Sequence, residues 1–466
     1  MFKFNNHKGS LTYVVAGFET LFSFLERDLK DITDRQKVTS KLVKAALISF
    51  GTNATSNLNT RKFDSQKYAD SIGKITNKCK WYVDSGQKLF IDSGGYQIIS
   101  GYVPKLLIPK FRESYIKFLN KYKDTYTNAF SMDAPIIPDF SDRNELLNIN
   151  VENFKLIDKL EEEVKNRLYF VTHSASVNDV HLWMKLIHEY NLLEKYSNYS
   201  VGGLVSSRPS TKQLYYNVMN LGFLEILSGL KTIPDILRLH ILGSSTSRNI
   251  IYFSMLVYFL EDVLNTDVEV TFDSSAVFTK VIRSRSFTYL DKTDYSSYNL
   301  SLKSADLDEI NKRTQKHNRT LIAQQLNDII DYCGLTDKYS INGNIYDDDN
   351  KTFAEENRLW IMLNEIYINQ LLIDYYEKRG LELYKLYKDG NITAFLNEIT
   401  NEYKKHGHSI LQSQIDSIIT SFDIFVDFIN KNKDPQLVYK YLETMELALD
   451  SREDNPSEQQ LPILGV

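Results

Sequence analysis

Cysteine is nearly absent: of 466 residues only Cys79 and Cys333 are cysteine. They stand far apart and outside any Cys-x-x-Cys spacing, which excludes a disulfide framework and a cysteine-rich zinc site. A reducing, cytoplasmic setting is expected. No apolar run approaches the length of a membrane span. The opening residues MFKFNNHKGS lack the apolar core of a secretory signal, so a soluble chain without membrane contact is expected. Glycine and proline are sparse, at 19 and 9 residues, while tyrosine reaches 30. Asn, Lys and Ile are abundant too, a bias of the kind an AT-rich genome imposes, and it weakens inference from propensity. A positive charge excess is also lacking. The formal net charge of −5 argues against a globally basic nucleic-acid binder. It leaves a local basic groove open, since counterion release depends on the charges at the contact.

What is present is an ordinary globular balance, 42% hydrophobic and 25% charged, in a chain long enough for a large core and more than one unit. Eight short apolar or β-branched runs occupy the first three-fifths: 11–16, 45–50, 88–92, 128–132, 168–172, 199–204, 238–242 and 268–272. Helical patterns lie between them, for example 111–122, 177–190 and 248–264. Strands alternating with helices imply parallel pairing, and eight such units predict an α/β fold, a (β/α)8 TIM-like barrel over residues 1–300. Residues 305–335 read as a polar helix and 341–351 as a loop. From there to about 450 apolar residues recur at three- and four-residue spacing, which predicts a C-terminal α-helical domain over 301–466.

Barrel chemistry sits at the C-terminal ends of the strands. Those ends carry Asp92, Asp133, His173, Gly202-Gly203, Gly243 and Asp273. The run LFIDSGGYQ is the clearest case: an apolar strand stops at Asp92, and Ser93-Gly94-Gly95 gives the main chain freedom for a flat ligand to approach. Asp92 and Asp273 suit paired work, one carboxylate attacking a sugar carbon while the other acid protonates the leaving group. The competing reading is that either caps a helix N-terminus. Asp133, before a proline-stiffened loop, can accept two hydrogen bonds from a guanine-like base edge or cap a turn. Gly202-Gly203-Leu204 brings backbone near a ligand or simply forms a tight turn. Tyr96 can stack on a base or pack. Lys280, Arg283 and Arg285 form a basic patch suited to phosphates, or a solvated loop. His406 and His408 read as a surface loop, since no third ligand stands near.

Taken together, Asp92-Ser93-Gly94-Gly95-Tyr96-Gln97, Ser131-Met132-Asp133, Gly202-Gly203-Leu204, His240-Ile241-Leu242-Gly243 and Phe272-Asp273-Ser274-Ser275 resemble the guanine transglycosylase superfamily, the tRNA-guanine transglycosylases and their DNA-acting relatives. The resemblance spans about residues 10–290. It implies Asp273 as nucleophile on the glycosidic carbon and Asp92 as general acid and base. It further implies Ser93, Gly94, Gln97, Asp133, Gly202, Gly203 and Leu204 around the base, Tyr96 stacked on it, and Arg283 and Arg285 with Lys280 on phosphates. Three departures stand out, one of them that the C-terminal helical unit resembles no tRNA-binding module. The cysteine-rich zinc site of the family's tRNA enzymes has no counterpart. Where those enzymes read the base with a glutamine, this chain has Val171-Thr172-His173-Ser174, which leaves the identity of the incoming base open, with His173 among the candidate base-binding residues.

These departures favour the DNA-acting branch: exchange of guanine in DNA for a free 7-deazaguanine base such as preQ0, through a covalent aspartyl intermediate. No metal and no cofactor are expected, because two carboxyl groups suffice. A homodimer or a partner that opens the duplex is compatible with this reading. Three rivals are the same exchange on tRNA, a non-catalytic nucleic-acid-binding barrel or partner subunit, and a glycoside hydrolase with two carboxylates.

Overall fold

Each of the eight apolar runs forms a strand: β1 (Ser10–Ala16), β2 (Ala45–Ser49), β3 (Lys88–Asp92), β4 (Asn128–Phe130), β5 (Leu168–His173), β6 (Asn198–Gly202), β7 (Ile236–Ile241) and β8 (Asp267–Ser274). They pair in chain order, all parallel, and β8 returns to β1 to close a barrel. The structure, a computed structural model, describes residues 9–54, 62–99, 102–133, 143–173, 177–202, 215–243, 247–274, 286–301, 309–342, 350–408, 410 and 412–442; a few side chains within these spans, that of Tyr96 among them, lie outside the description.

The strands are buried on both faces, which is why they read as short continuous apolar runs. Successive side chains still point to opposite faces, and two separate apolar clusters result. Val14, Ala16, Ala45, Leu47, Phe90, Phe130, Tyr169 and Val171 fill the barrel interior. Their neighbours Val15, Ala46, Ile48, Leu89, Ile91, Ala129 and Phe170 join the main core under the surrounding helices. Extending the inner set by two residues along each strand brings Ser49, Asp92 and His173 onto the inner face. The pairings His173↔Gly202 and Val14↔Asp273 add Gly202 and Asp273. Strand alternation therefore delivers the candidate residues to one mouth.

Helices pack outside, two of them with aspartate side-chain caps. Asp31 accepts from the Thr33 amide at 2.9 Å at the start of helix Ile32–Leu42. Asp64 accepts from the Gln66 and Lys67 amides at 2.9 and 3.0 Å before helix Ser65–Lys78. Among the described residues no helix is long and apolar enough to cross a membrane.

Beyond the barrel, the expected helices form at Glu309–Tyr332, Arg358–Lys388, Ile392–Lys405 and Gln412–Asn430. The 31-residue helix Arg358–Lys388 buries residues all round, Leu359 through Ile368 among them. It crosses the barrel helix Ser247–Leu264 closely: a Cβ on Gly380 would lie 2.9 Å from the Ser254 backbone carbon. The Tyr258 hydroxyl donates to the Glu377 carbonyl at 2.6 Å across the same contact. Barrel and C-terminal helices thus share one continuous core.

An antiparallel hairpin, β9 (Ser286–Leu290) with β10 (Ser297–Ser301), lies between them. The periodicity does not announce it, and the boundary drawn at residue 300 falls within β10. Helical side chains serve as the neighbour strand that β9 lacks. Glu365 accepts from the Thr288 amide at 3.0 Å, Gln325 accepts from the Leu290 amide at 2.9 Å, and Asn364 donates to the Thr288 carbonyl at 2.8 Å. Buried main-chain groups need such partners, so the burial of these polar helix side chains has a structural cause.

Candidate active site

Three carboxylates meet at the C-terminal mouth of the barrel, and they differ in how their oxygens are occupied. Asp92 ends β3. Its Oδ2 accepts from the Ser49 hydroxyl at 2.8 Å and from the Gly94 amide at 3.2 Å. Ser49 ends β2 opposite Asp92, and its oxygen in turn accepts from the Gly51 amide at 3.2 Å. Asp92 Oδ1 has no partner among the described residues. The turn depends on Gly94, whose φ of 86° lies in the left-handed region. Gln97, on the short helix Gly95–Ile99, places its Oε1 3.4 Å from the Ser49 hydroxyl.

Asp273, on β8, is arranged the same way. Its Oδ1 accepts from His240 Nε2 and from the Gly243 amide, both at 3.0 Å, and its Oδ2 is unengaged among the described residues. Asp133 is different, because both of its oxygens are held. Oδ1 accepts from the Ser93 hydroxyl at 2.9 Å, and Oδ2 is bonded to His173 Nε2. A carboxylate fixed at both ends suits recognition, whereas one with a free oxygen can attack or exchange a proton.

Electrostatics separates the roles further. Burial pushes the Asp92 carboxyl up to about 6, and the Asp133 and Asp273 charges add to the rise against the lowering bonds from Ser49 and Gly94. A carboxylic acid poised there can give a proton near neutrality and take it back. Its influence by both other carboxylates shows that the three share one field.

His173 ends β5 and is buried beside Gly202. A Cβ at Gly202 would stand 2.8 Å from His173 Cε1, so only glycine leaves room for the ring. Gly95 is similarly close to Asp133, its Cβ position being 3.2 Å from Oδ2. The His173 Nδ1 atom is buried and has no partner among the described residues, which makes it available to a polar group of a ligand or a water.

The structure thus brings together Asp92, Ser93, Gly94, Gln97, Asp133, His173, Gly202 and Asp273. Gly203, Leu204, Lys280, Arg283, Arg285 and the Tyr96 side chain lie outside the described residues. Two participants, Ser49 and His240, escaped the candidate residues. Both were legible in principle: each stands on the same alternation that faces Leu47 and Asp273 inward. A polar residue at an inward position of an apolar barrel strand was the missed signal.

His406 corrects the surface-loop expectation. It is buried, its Nδ1 lies 2.9 Å from the Ser297 hydroxyl and its Nε2 2.9 Å from the Tyr376 hydroxyl. Burial and the neighbouring His408 push it down to about 4. It ties the hairpin to the helices. Among the described residues, no group of three or more His, Cys, Asp or Glu side chains is placed to hold a metal ion.

No protein-family model and no curated protein matches this chain.

Proposed function

We propose that this protein is a base-exchange transglycosylase that replaces guanine in DNA with a 7-deazaguanine such as preQ0 through a covalent Asp273 intermediate. The observation that carries the proposal is the division of labour among the carboxylates. Among the described residues Asp92 and Asp273 each keep one unengaged oxygen, whereas Asp133 is held at both. Base exchange needs this set: a nucleophile, an acid that becomes a base, and an oriented acceptor for the base edge.

In the first half-reaction Asp273 Oδ2 bonds to C1′ while the bond from C1′ to the base nitrogen breaks. The departing base keeps the bonding pair and takes the proton of Asp92, whose raised affinity keeps it protonated up to about pH 6. In the second half the incoming base gives its proton to the Asp92 carboxylate. Its nitrogen bonds to C1′, and the Asp273 carboxylate departs. Asp133 reads donors on the base edge, held in place by Ser93 and His173. The target base must leave the stack first, at about a few kcal/mol. Lys280, Arg283 and Arg285 follow the nucleophile in sequence and supply phosphate contacts in this reading.

The test is incorporation of labelled guanine or preQ0 by purified protein offered duplex DNA, single-stranded DNA and tRNA in parallel. Label in DNA, lost by at least about 10⁴-fold in Asp273→Ala, is the expected result. Label in tRNA alone would move the activity to the tRNA branch. No label anywhere would leave a binding barrel as the better reading, and free sugar release without exchange would indicate a hydrolase.

A further inference from the structure

We propose that His240 is the positioning residue that selects which oxygen of Asp273 attacks: Oδ1 is tied back, and Oδ2 is the nucleophile. This rests on the base-exchange reading and adds a residue that the motif-level argument does not assign.

The geometry is one of a ring fixed at both ends. His240 is fully buried on β7, opposite Thr271 of β8 in the register. Its Nδ1 lies 2.7 Å from the Thr271 hydroxyl and its Nε2 3.0 Å from Asp273 Oδ1. An ionised carboxylate only accepts, so Nε2 carries a proton; on the other side Nδ1 pairs with the Thr271 hydroxyl, which also lies 3.3 Å from the Leu239 carbonyl as a donor. Aromatic side chains prevent the ring from turning. Phe130 and Phe90 stand with centroids 4.7 and 5.8 Å from that of His240, and Tyr169 lies at 6.2 Å. The Gly243 amide, 3.0 Å from the same oxygen, adds a second donor. Among the described residues, two donors on Oδ1 and none on Oδ2 leave a single reactive lobe.

The same contacts serve both half-reactions. When Oδ2 bonds to C1′, Oδ1 becomes the carbonyl oxygen of the glycosyl ester and still accepts from His240 and Gly243. When the C1′–Oδ2 bond breaks, the bonding pair returns to the carboxylate, and the donors already in place stabilise its charge without reorganisation. The incoming base has by then given its proton to Asp92, so no other reactant is required.

The experiment compares His240→Phe, which keeps an aromatic ring but donates nothing, with His240→Gln, whose amide nitrogen reaches the position of Nε2. His240→Leu is a second donor-free side chain should the Phe variant not fold. Single-turnover adduct formation, steady-state exchange and thermal unfolding are measured for each. The donor-free variants should lose about a hundredfold in kcat with KM within about twofold, and Gln should recover at least about tenfold of that loss. A donor-free variant with wild-type kcat would overturn the proposal alone. So would a folded Gln variant as slow as the Phe variant, since packing rather than donation would then explain the loss. Wild-type protein unable to exchange a base in any nucleic acid would overturn the underlying reading, and this proposal with it.

Discussion

Ser49 and Asp92 are register partners on adjacent strands, and the Ser49 hydroxyl donates to Asp92 Oδ2 at 2.8 Å. That bond favours the ionised acid and works against the burial that raises it. Ser49→Ala therefore raises the proton affinity of Asp92 further. Adduct formation, which needs protonated Asp92, should persist to higher pH, while resolution of the adduct, which needs the carboxylate, should slow below that new midpoint. Single-turnover adduct measurements across pH 5 to pH 9 check this; an unmoved midpoint would count against Ser49 as the tuning partner.

The same raised carboxyl has a cost in stability. Asp92 binds its proton more tightly in the folded chain, at about 6 against an ordinary value of 3.8. Below the ordinary value both states are protonated and nothing is lost. As pH rises from there through about 6, the folded state loses stability relative to the unfolded one, on the order of 3 kcal/mol in all. Asp92→Asn cannot ionise, so it should melt higher than wild type at pH 8, with a smaller difference at pH 4, while its exchange rate collapses. Equal pH dependence of melting in the two proteins would show that Asp92 is not buried at this cost.

Much of this architecture is visible in the sequence, for a physical reason. A parallel barrel strand buries both faces, so β2 and β3 appear as apolar runs, and the first polar residue after each run, Ser49 or Asp92, falls at the mouth. Asp92 and Asp273 are legible in this way. Ser49 and His240 are less so, because a serine at a strand end resembles turn chemistry and a histidine within RLHIL resembles core. The hairpin β9–β10 escapes altogether: its edge is completed by Gln325, Asn364 and Glu365, which lie distant in sequence and which periodicity assigns to helices. His406 escapes for a similar reason, since its partners Ser297 and Tyr376 belong to other elements.

That burial of His406 gives the hairpin junction an acid sensitivity. The imidazole is pushed down to about 4 from an ordinary 6.5. The neutral ring's contribution is fully present above 6.5 and is lost as pH falls towards 4, on the order of 3 kcal/mol. His406→Gln retains an amide for Tyr376 or Ser297 but does not titrate. It should therefore show a flatter fall in melting temperature between pH 7 and pH 4, with exchange activity at pH 7.5 within about twofold of wild type. A variant as acid-sensitive as the parent would place the sensitivity elsewhere.

Gly202 sets the space available to His173. A methyl group there would lie 2.8 Å from His173 Cε1, 3.0 Å from Nδ1 and 3.3 Å from Leu242 Cδ1. Overpacking of this kind costs about 1–3 kcal/mol, and the ring must yield because the β6 backbone is held by pairing on both sides. Once displaced, His173 releases Asp133 Oδ2, and the acceptor for the base edge loses its orientation. Gly202→Ala should therefore raise KM for the incoming base about tenfold while changing kcat less, since neither Asp92 nor Asp273 is bonded to either residue. Removing the ring removes the clash, so Gly202→Ala/His173→Ala should match His173→Ala alone rather than sum the two losses. Additive losses in this double-mutant cycle would mean that Gly202 acts on the base directly and not through His173.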